Sequence, residues 1–327
     1  MNTMSERTEG FDPFENHAAD RLDAAITATG SVACVGLDPR PELIPPLLRR
    51  AALDRFDGGG AAAVADAFVA FNLGILDAVA GRCPAVKAQV ACYEAYGAAG
   101  WQALEATVAA ARARGLVVII DGKRNDIGST ATHYAQATFG GAPGLDGTIL
   151  SGIGGDWLTV NGYLGGDAIE PFLGAPADPN AGGHGIFVLV RTSNPSAADL
   201  QDQVTDAGTV ADTMADLVTT WGRSRVGRCG LSAVGAVVGA TWPEQARQLR
   251  ARMPDTLFLV PGYGAQGGSA ADAVAGARPG EHAGLLVNSS RQILAAWRDD
   301  DEVDWVGSAR RALDAMNADL GMALAAR

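Results

Sequence analysis

Short apolar runs rich in β-branched residues alternate with longer, Ala-rich stretches along most of the chain. Each run ends in polar or glycine residues, as strands do, and the stretches between them have helical spacing of apolar positions. The runs are apolar throughout rather than alternating, which is typical of parallel strands buried on both faces. The pattern predicts eight strands, over residues 31–38, 85–91, 116–123, 157–163, 186–192, 233–240, 256–262 and 283–289.

The stretches between and after these strands predict helices, and eight βα units in one chain predict a (β/α)₈ TIM barrel of the α/β class. An extra N-terminal helix is expected over residues 14–29, ending at Gly30, a residue type that favours helix C-termini. We expect a polar tail over 1–13 and a single barrel domain over 14–327. The other predicted helices cover residues 61–80, 101–115, 209–224, 243–253 and, at the C-terminus, 303–324.

Two Gly/Pro-rich stretches flank the fifth strand. Residues 174–185 precede it and are predicted to be an insertion without an assigned role. Residues 192–203 follow it, on the C-terminal face where barrel enzymes carry their catalytic groups. This second stretch is the better candidate for a mobile lid over a ligand.

Composition narrows the function classes. The 327 residues are 48% hydrophobic, 19% charged and 6% aromatic, which excludes a disordered chain and is ample for a large core. A formal net charge of -12 argues against a nucleic-acid or membrane-surface partner, because both require basic patches. Any anionic ligand must therefore be bound by a few local cations.

The expected compartment is the cytoplasm. No apolar run approaches the roughly 18 residues needed to cross a bilayer, and the N-terminus lacks the apolar stretch of a signal peptide. The four cysteines form no CxxC pair and are predicted to be buried free thiols: Cys34, Cys83, Cys92 and Cys229.

The most informative segment is VVIIDGKRNDIGSTATHY, at the end of the third strand. Asp121 and Lys123 lie two positions apart, so both side chains are expected on the same side, and Asp126 follows where the chain turns into a helix. Three ionisable residues at one strand end indicate a catalytic cluster. The alternative is that Asp126 or Ser129 only caps the helix, while Asp121 and Lys123 form a salt bridge on the rim.

Two further charged residues occupy similar positions. Lys87 lies within the apolar second strand, and Asp38 ends the first strand. A lysine in a buried strand is costly unless it is paired, so an acidic neighbour is expected, and strands two and three would place Lys87 beside Asp121. The alternative is an ordinary lysine whose head group reaches solvent at a strand end.

The loops after strands seven and eight predict a phosphate site, as is frequent in barrel enzymes. Arg291 could bind a phosphate bidentately, and Gln266 could donate to it. Glycines would let backbone N–H groups approach, although the GxGxxG pattern is a weak dinucleotide signal because one strand alone follows it. A mononucleotide or sugar phosphate is therefore favoured. These glycines are Gly262, Gly264, Gly267 and Gly268.

The histidines give no indication of a metal site, because His17, His133, His184 and His282 are scattered without ligand spacing. A G-x-S-x-G elbow and a P-loop are also missing from the sequence.

The run from Asp121 to Thr130, with Lys87 upstream and Asp38 in VGLDPRP, resembles orotidine 5'-monophosphate decarboxylase, in particular its longer bacterial (type 2) subfamily. The resemblance covers about residues 31 to 297. Further motifs follow in the subfamily's order: TVNGY (159–163), RTSNP (191–195), PGYGAQGG (261–268) and VNSSR (287–291). The chain departs from the usual pattern at Gly122, Asn125 and Gly162.

The resemblance implies conversion of orotidine 5'-monophosphate to uridine 5'-monophosphate and CO₂, without metal or organic cofactor. It implies an alternating charge array of Lys87, Asp121, Lys123 and Asp126, in which Lys123 protonates C6. Substrate contacts are implied as follows: Asp38 with Lys87 at the ribose, Ser193 at the pyrimidine, Gln266 and Arg291 at the phosphate, with Asn161 and Gly264 also in the substrate site.

The resemblance also implies a homodimer with shared sites, because in the family the residues matching Asp126, Ile127 and Thr130 reach into the neighbouring subunit. Three alternatives stay open. They are a Mg-dependent sugar-phosphate decarboxylase or aldolase of the same superfamily, a Schiff-base aldolase using Lys123, and a non-catalytic barrel that binds a phosphate ligand.

Overall fold

The computed structural model describes residues 16–174, 183–206, 208–264, 267–280, 283–300 and 303–327. Eight parallel strands close into a barrel in which each strand pairs with the next in sequence and the last pairs with the first. The predicted TIM barrel is confirmed, strand for strand. The barrel strands are β1 (Ala33–Leu37), β2 (Ala85–Gln89), β3 (Val117–Arg124), β4 (Trp157–Val160), β5 (Gly185–Arg191), β6 (Ser232–Val238), β7 (Thr256–Val260) and β8 (Leu285–Ser289).

Helices connect these strands, and the predicted terminal helices are both present. The N-terminal helix ends at Gly30, whose φ of 60° is left-handed, as expected for a glycine at this position. The helices are α1 (Ala18–Thr29), α2 (Pro46–Arg55), α3 (Ala61–Val79), α4 (Val90–Glu94), α5 (Gly97–Ala113), α6 (Gly128–Phe139), α7 (Gly166–Gly174), α8 (Ala198–Gln201), α9 (Val210–Gly222), α10 (Pro243–Arg252), α11 (Ala270–Ala273), α12 (Arg291–Leu294) and α13 (Trp305–Ala325).

Smaller elements lie in the loops. There are 3₁₀ turns at Pro41–Leu43, Pro195–Ala197 and Ala296–Arg298. Two short antiparallel hairpins pair Ala142–Pro143 with Ile149–Leu150, and Val204–Thr205 with Gly208–Thr209.

The core has two layers. One fills the barrel interior, where Trp157 stacks on Phe187 with ring centroids 4.5 Å apart, and it includes Leu257 and Leu286. The other lies between the strands and the surrounding helices. Both layers follow from strands that are apolar on both faces.

Helix α1 closes the N-terminal end of the barrel. Ala18 and Leu22 pack against the interior layer. The Asp20 carboxylate accepts hydrogen bonds from the backbone N–H groups of Arg228 (3.1 Å) and Cys229 (2.8 Å). The extra helix therefore seals the end opposite the strand C-termini.

Helix α3 bears on the expectation that no segment crosses a membrane. Within the described residues it is long and apolar enough to cross a bilayer by length and composition alone, a test that a buried core helix also passes. Half of it is buried in the protein, and Phe68, Phe71 and Leu76 belong to the layer between helices and strands. The apolar face of α3 is thus used by the core.

The two stretches around β5 have different outcomes. Most of the 174–185 insertion, like the 1–13 tail, lies outside the described residues. The predicted lid, 192–203, contains a 3₁₀ turn and α8, and Gln201 accepts a hydrogen bond from the Thr192 backbone N–H (2.9 Å). It is therefore attached to the end of β5, and its mobility stays a prediction.

The free state of all four cysteines is confirmed, and burial is confirmed for Cys34 and Cys83, whereas Cys92 and Cys229 are half-buried. Of the sequence departures, Gly162 has a packing reason: a Cβ there would lie 2.7 Å from the Met214 sulfur. The bulky Met214 side chain occupies the space that a larger residue at this position would need.

Candidate active site

A cavity of about 880 Å³ opens at the C-terminal end of the barrel. Strand ends and the loops that follow them supply its walls, the position where barrel enzymes place their chemistry. Six of the predicted site residues line it with their side chains: Asp38, Lys87, Asp121, Lys123, Ser193 and Arg291.

The Asp121 carboxylate is the centre of a hydrogen-bond network. The Lys87 ammonium donates to its Oδ2 (2.7 Å) and the Lys123 ammonium to its Oδ1 (2.6 Å). Gln89 Nε2 donates to Oδ2 (3.0 Å), and Thr159 Oγ1 donates to Oδ1 (2.8 Å). One buried carboxylate thus accepts from two cations and two neutral donors, which fixes its orientation.

Lys123 reaches this centre through an irregular backbone. The pairing of β3 with β4 shifts between Ile120 and Arg124, so that β3 has extra residues at this point. Within the bulge Lys123 has a φ of 45°, the single non-glycine left-handed conformation among the described residues. The simple alternation expected from the sequence therefore does not operate here, and the bulge directs both side chains into the cavity. Such strain occurs at functional sites.

Burial and charge oppose each other at the Lys87–Asp121 pair. Burial alone would raise the pKa of Asp121, but Lys87 and Lys123 together lower it well below its usual range. Burial likewise would lower the pKa of Lys87, but Asp121 and then Asp38 raise it above its usual range. Both groups are therefore held in their charged forms.

The structure excludes the simpler interpretations of these residues. Asp121 is 6% exposed and Lys87 5%, so neither is a rim residue and Lys87 does not reach solvent. Helix α6 has Ile127 as its N-cap without a side-chain cap, and the Asp126 carboxylate accepts instead from the Ile127 backbone N–H (2.8 Å). Asp126 and Ser129 do not cap this helix.

Two buried oxygens in the cavity have no hydrogen-bond partner among the described residues. Asp38 Oδ1 lies 3.7 Å from the Lys87 ammonium, which is an ion pair rather than a hydrogen bond. Asn288 Oδ1, at the end of β8, is likewise without a donor. A ligand with hydroxyl groups would satisfy both oxygens.

Several predicted residues do not line the cavity. Asp126, Ile127 and Thr130 lie at the start of α6, and Ile127 is 57% exposed. Asn161 follows β4, where its side-chain oxygen accepts from the Tyr163 backbone N–H (3.0 Å) in a local turn. The structure therefore does not bring Asn161 to the cavity wall.

The glycine loop after β7 is bonded within itself. Gly264 N–H donates to the Gly268 carbonyl (2.9 Å), Gly267 N–H to Gly264 (2.8 Å) and Gly268 N–H to Gly262 (3.1 Å). These amides are thus occupied, contrary to the expectation that they are open to a phosphate. Gly262 itself lines the cavity, Gly264 does not, and Gln266 lies outside the described residues.

Ser193 is placed by the anchored stretch after β5. The Trp242 indole N–H donates to the Thr192 carbonyl (3.2 Å), and Gln201 Nε2 donates to Thr192 Oγ1 (2.8 Å). Gly239, just after β6, allows a close approach, because a Cβ there would lie 3.0 Å from Ser193. These contacts hold Ser193 over the cavity.

Sequence reasoning missed several polar cavity residues. Gln89 ends β2 and Thr159 is the next-to-last residue of β4, so their positions near strand ends could have indicated them. Arg40 comes two residues after Asp38, so its position just beyond the first strand could also have indicated it. Arg298 lies after α12 and gave no local signal.

No group of three or more His, Cys, Asp or Glu side chains suited to a metal ion occurs in the described part of the chain. His17, His133 and His184 are spread over different elements, and His282 lies outside it. The cavity instead offers cations from the protein itself: Arg40, Lys87, Lys123, Arg291 and Arg298.

Comparison with known proteins gives consistent matches. The family model described as orotidine 5'-phosphate decarboxylase / HUMPS family matches residues 32–304. Orotidine 5'-phosphate decarboxylase of Rhodopirellula baltica is 47% identical over 308 residues, 92% of this chain and 98% of the relative. That of Caldicellulosiruptor saccharolyticus is 38% identical over 280 residues, 86% of this chain and 90% of the relative. The solved structure of Leishmania donovani OMP decarboxylase superposes with a TM-score of 0.69 at 28% identity, over 94% of this chain and 98% of that one.

Proposed function

The chain belongs to the orotidine 5'-phosphate decarboxylase / HUMPS family and is a lyase, and we propose that it converts orotidine 5'-monophosphate to uridine 5'-monophosphate and CO₂, the last step of UMP synthesis, without a metal or organic cofactor. The observation that carries the proposal is the buried Asp121 carboxylate held between the Lys87 and Lys123 ammonium groups at the cavity floor. This array is suited to a reaction that develops negative charge at one carbon.

In the proposed reaction the bond between C6 and the carboxylate breaks, CO₂ leaves, and the electron pair stays on C6. Lys123 transfers a proton to C6 and regains one from solvent, which its 47% exposed side chain can reach. Lys87 and Lys123 supply fixed positive charge next to the developing carbanion. Asp121 keeps both ammonium groups in place before substrate arrives.

The remaining cavity residues suit a nucleoside monophosphate. Asp38 Oδ1 and Asn288 Oδ1 are buried acceptors without a donor, which ribose hydroxyl groups would supply. Arg291 and the neighbouring Arg40 and Arg298 give positive charge for the phosphate. Binding energy from the phosphate end can then be used to stabilise the transition state.

We also propose a homodimer with shared sites. Ile127 is 57% exposed, and Asp126 and Thr130 lie beside it at the start of α6, outside the cavity of their own chain. A second copy packed on this face would bury Ile127 and could receive Asp126 in its cavity. The proposed compartment for this enzyme is the cytoplasm.

The Mg-dependent alternative fits the donor set less well. Lys87 Nζ lies between two carboxylates, 2.7 Å from Asp121 and 3.7 Å from Asp38. A divalent cation bound by both carboxylates would have to lie where the Lys87 ammonium lies. We expect full turnover after exhaustive chelation, whereas loss of turnover that Mg²⁺ restores would support the alternative.

The main test follows the ultraviolet absorbance of orotidine 5'-monophosphate with the wild type and with Lys123→Ala. Loss of a general acid and of one array cation is expected to lower kcat by at least about 10³-fold. Lys123→Arg is the matched variant, since it keeps the charge but protonates carbon poorly. A wild type without turnover would refute the proposed function, and borohydride trapping of substrate on Lys123 would favour the Schiff-base aldolase.

Shared sites are tested by mixing two inactive variants, Asp126→Asn and Lys123→Ala, and reassembling them. If each site uses Lys123 of one chain and Asp126 of the other, mixed dimers regain one intact site, so about half of the dimers carry half of the activity. No recovery, with dimers confirmed by light scattering, would contradict shared sites.

A further inference from the structure

A second cavity, of about 720 Å³, lies at the N-terminal end of the barrel, far from the strand ends that carry Asp121. It lies between the end of α10, the segment that precedes β8 and the end of α13. We name it the arginine cavity because four arginines line it, and the other described lining residues are uncharged. The arginines are Arg247, Arg250, Arg278 and Arg327, and the uncharged residues are Ala251, Ala275, Ala277, Pro279, Gly280, Ala283 and Leu324.

Arg250 forms the floor of this cavity. It is 8% exposed, and its guanidinium lies over the Phe258 ring, 3.7 Å from the centroid. Its partners are backbone carbonyls rather than carboxylates, namely those of Gly276 (2.7 Å), Met253 (2.9 Å), Thr256 (2.7 Å) and Gly284 (2.9 Å). These bonds use four of its five N–H donors, and no carboxylate of the described residues is hydrogen-bonded to it.

The other three arginines use few of their donors within the described residues. Arg327 donates to the Ala275 carbonyl (3.3 Å), and Arg278 donates to the Gly230 carbonyl (3.1 Å). Arg278 also lies 3.7 Å from Asp255, a long ion pair. A guanidinium has five N–H donors, so both can still bind an anion. Arg247 pairs with Glu244 at the surface.

The positive charges affect each other. Burial lowers the pKa of Arg250, Arg278 and Arg327 lower it further, and Asp255 raises it to a smaller extent. Convergence of like charges is unfavourable unless an anion compensates them. It is also unexpected in a chain with 37 acidic and 25 basic residues. The bonds of Arg250 explain why it is buried, but they do not explain why Arg278 and Arg327 face the same cavity.

We propose that the arginine cavity binds a small organic di- or triphosphate, with its phosphates held by Arg278 and Arg327 over the Arg250 floor. Arg247 and Arg278 already face the Glu244 and Asp255 carboxylates, but the four guanidinium groups together still leave a net positive charge, which suits a di- or triphosphate better than a monoester. Guanidinium forks bind phosphate oxygens bidentately. Ala277 and Leu324 give an apolar wall for the organic part. The cavity volume is in the range of small-ligand sites.

The test titrates inorganic tripolyphosphate into the full-length protein by calorimetry. The phosphate end of the active-site cavity can also bind this probe, so two variants separate the sites. Arg278→Gln with Arg327→Gln removes the proposed phosphate ligands but keeps Arg250 and its carbonyl bonds. Arg291→Gln weakens binding of the probe in the active-site cavity. Arg310→Gln, an exposed arginine of α13 outside the arginine cavity, is the matched control.

We expect the double variant to lose one binding event, or to bind at least about tenfold more weakly, while Arg310→Gln binds as the wild type does. The same event should persist in Arg291→Gln. Unchanged binding in a folded double variant would overturn the proposal. If the double variant fails to fold, the single Arg327→Gln variant at the chain end gives the same comparison.

A second titration, in the Arg291→Gln variant, compares tripolyphosphate with a nucleoside triphosphate. Tighter binding of the nucleoside triphosphate supports an organic ligand packed on Leu324, and weaker binding contradicts that part of the proposal. Neither result depends on turnover of orotidine 5'-monophosphate, so this proposal and the proposed function can fail separately.

Discussion

The two ends of the barrel each bury a positive charge, and they compensate it by different means. At the C-terminal end Lys87 is bonded to Asp121 and lies near Asp38, so full charges oppose each other. At the N-terminal end Arg250 is surrounded by carbonyl dipoles. The charge pair creates a strong local field that can act on a substrate, whereas the dipoles mainly tie strand starts and helix ends together. The difference shows that the same kind of buried cation can serve chemistry or architecture.

The largest effect is expected from breaking the charge pair. Asp121→Ala removes the main partner of Lys87 and should destabilise the protein by about 3–5 kcal/mol, because an uncompensated buried charge remains. The double variant Lys87→Met with Asp121→Leu removes both charges and should cost less. Urea unfolding measures both free energies. Equal losses in the two variants would mean that packing, not charge, accounts for the effect.

A smaller loss of stability is expected at the N-terminal end of the barrel. Arg250→Met removes the donor from four carbonyls but leaves no orphan charge, and we expect about 2–3 kcal/mol of destabilisation from poorly satisfied acceptors. Arg310→Gln, on the surface of α13, should change the free energy of unfolding by less than about 0.5 kcal/mol. If Arg250→Met is less stable than Asp121→Ala, the prediction that the charge pair contributes more to stability than Arg250 is wrong.

The charge pair should also respond to pH. The pKa of Asp121 is lowered on folding, so its contribution to stability is present above its unfolded pKa of about 3.9 and is lost as pH falls. The pKa of Lys87 is raised, so its contribution is lost only as pH rises above about 10.4. The stability difference between wild type and Asp121→Asn should therefore be constant from about pH 5 to 9 and shrink below about pH 4. A difference that grows in acid would contradict the ionised pair.

The smallest effect on stability and activity is expected at Gly239, where the backbone packs closely against Ser193 in the cavity wall. Gly239→Ala places a Cβ 3.0 Å from Ser193, which must move away. We expect a loss of about 1 kcal/mol and a higher KM, with kcat unchanged because Asp121 and its partners are not touched. Gly321→Ala in α13, where a Cβ meets nothing within 4 Å, is the control. A fall in kcat alone would show that Ser193 acts beyond substrate positioning.

The barrel and most of its charged centre could be predicted from local sequence patterns. Apolar runs, helical spacing and Gly30 are local signals, so they predicted the strands, the terminal helices and the end of α1. Asp38, Lys87, Asp121 and Lys123 were found because parallel strands bring their C-terminal ends to one face. Once the strands are placed, this convergence follows from topology alone.

Other features depend on how distant segments pack against each other. The bulge that gives Lys123 its left-handed backbone arises from the pairing of β3 with β4. The residue pattern along β3 alone does not predict it. Arg298 lines the active-site cavity, and Arg278 and Arg327 line the arginine cavity, although the local sequence around each of them indicates no site. Local patterns determine which segments become strands and helices, but the position of a long side chain depends on how distant segments pack.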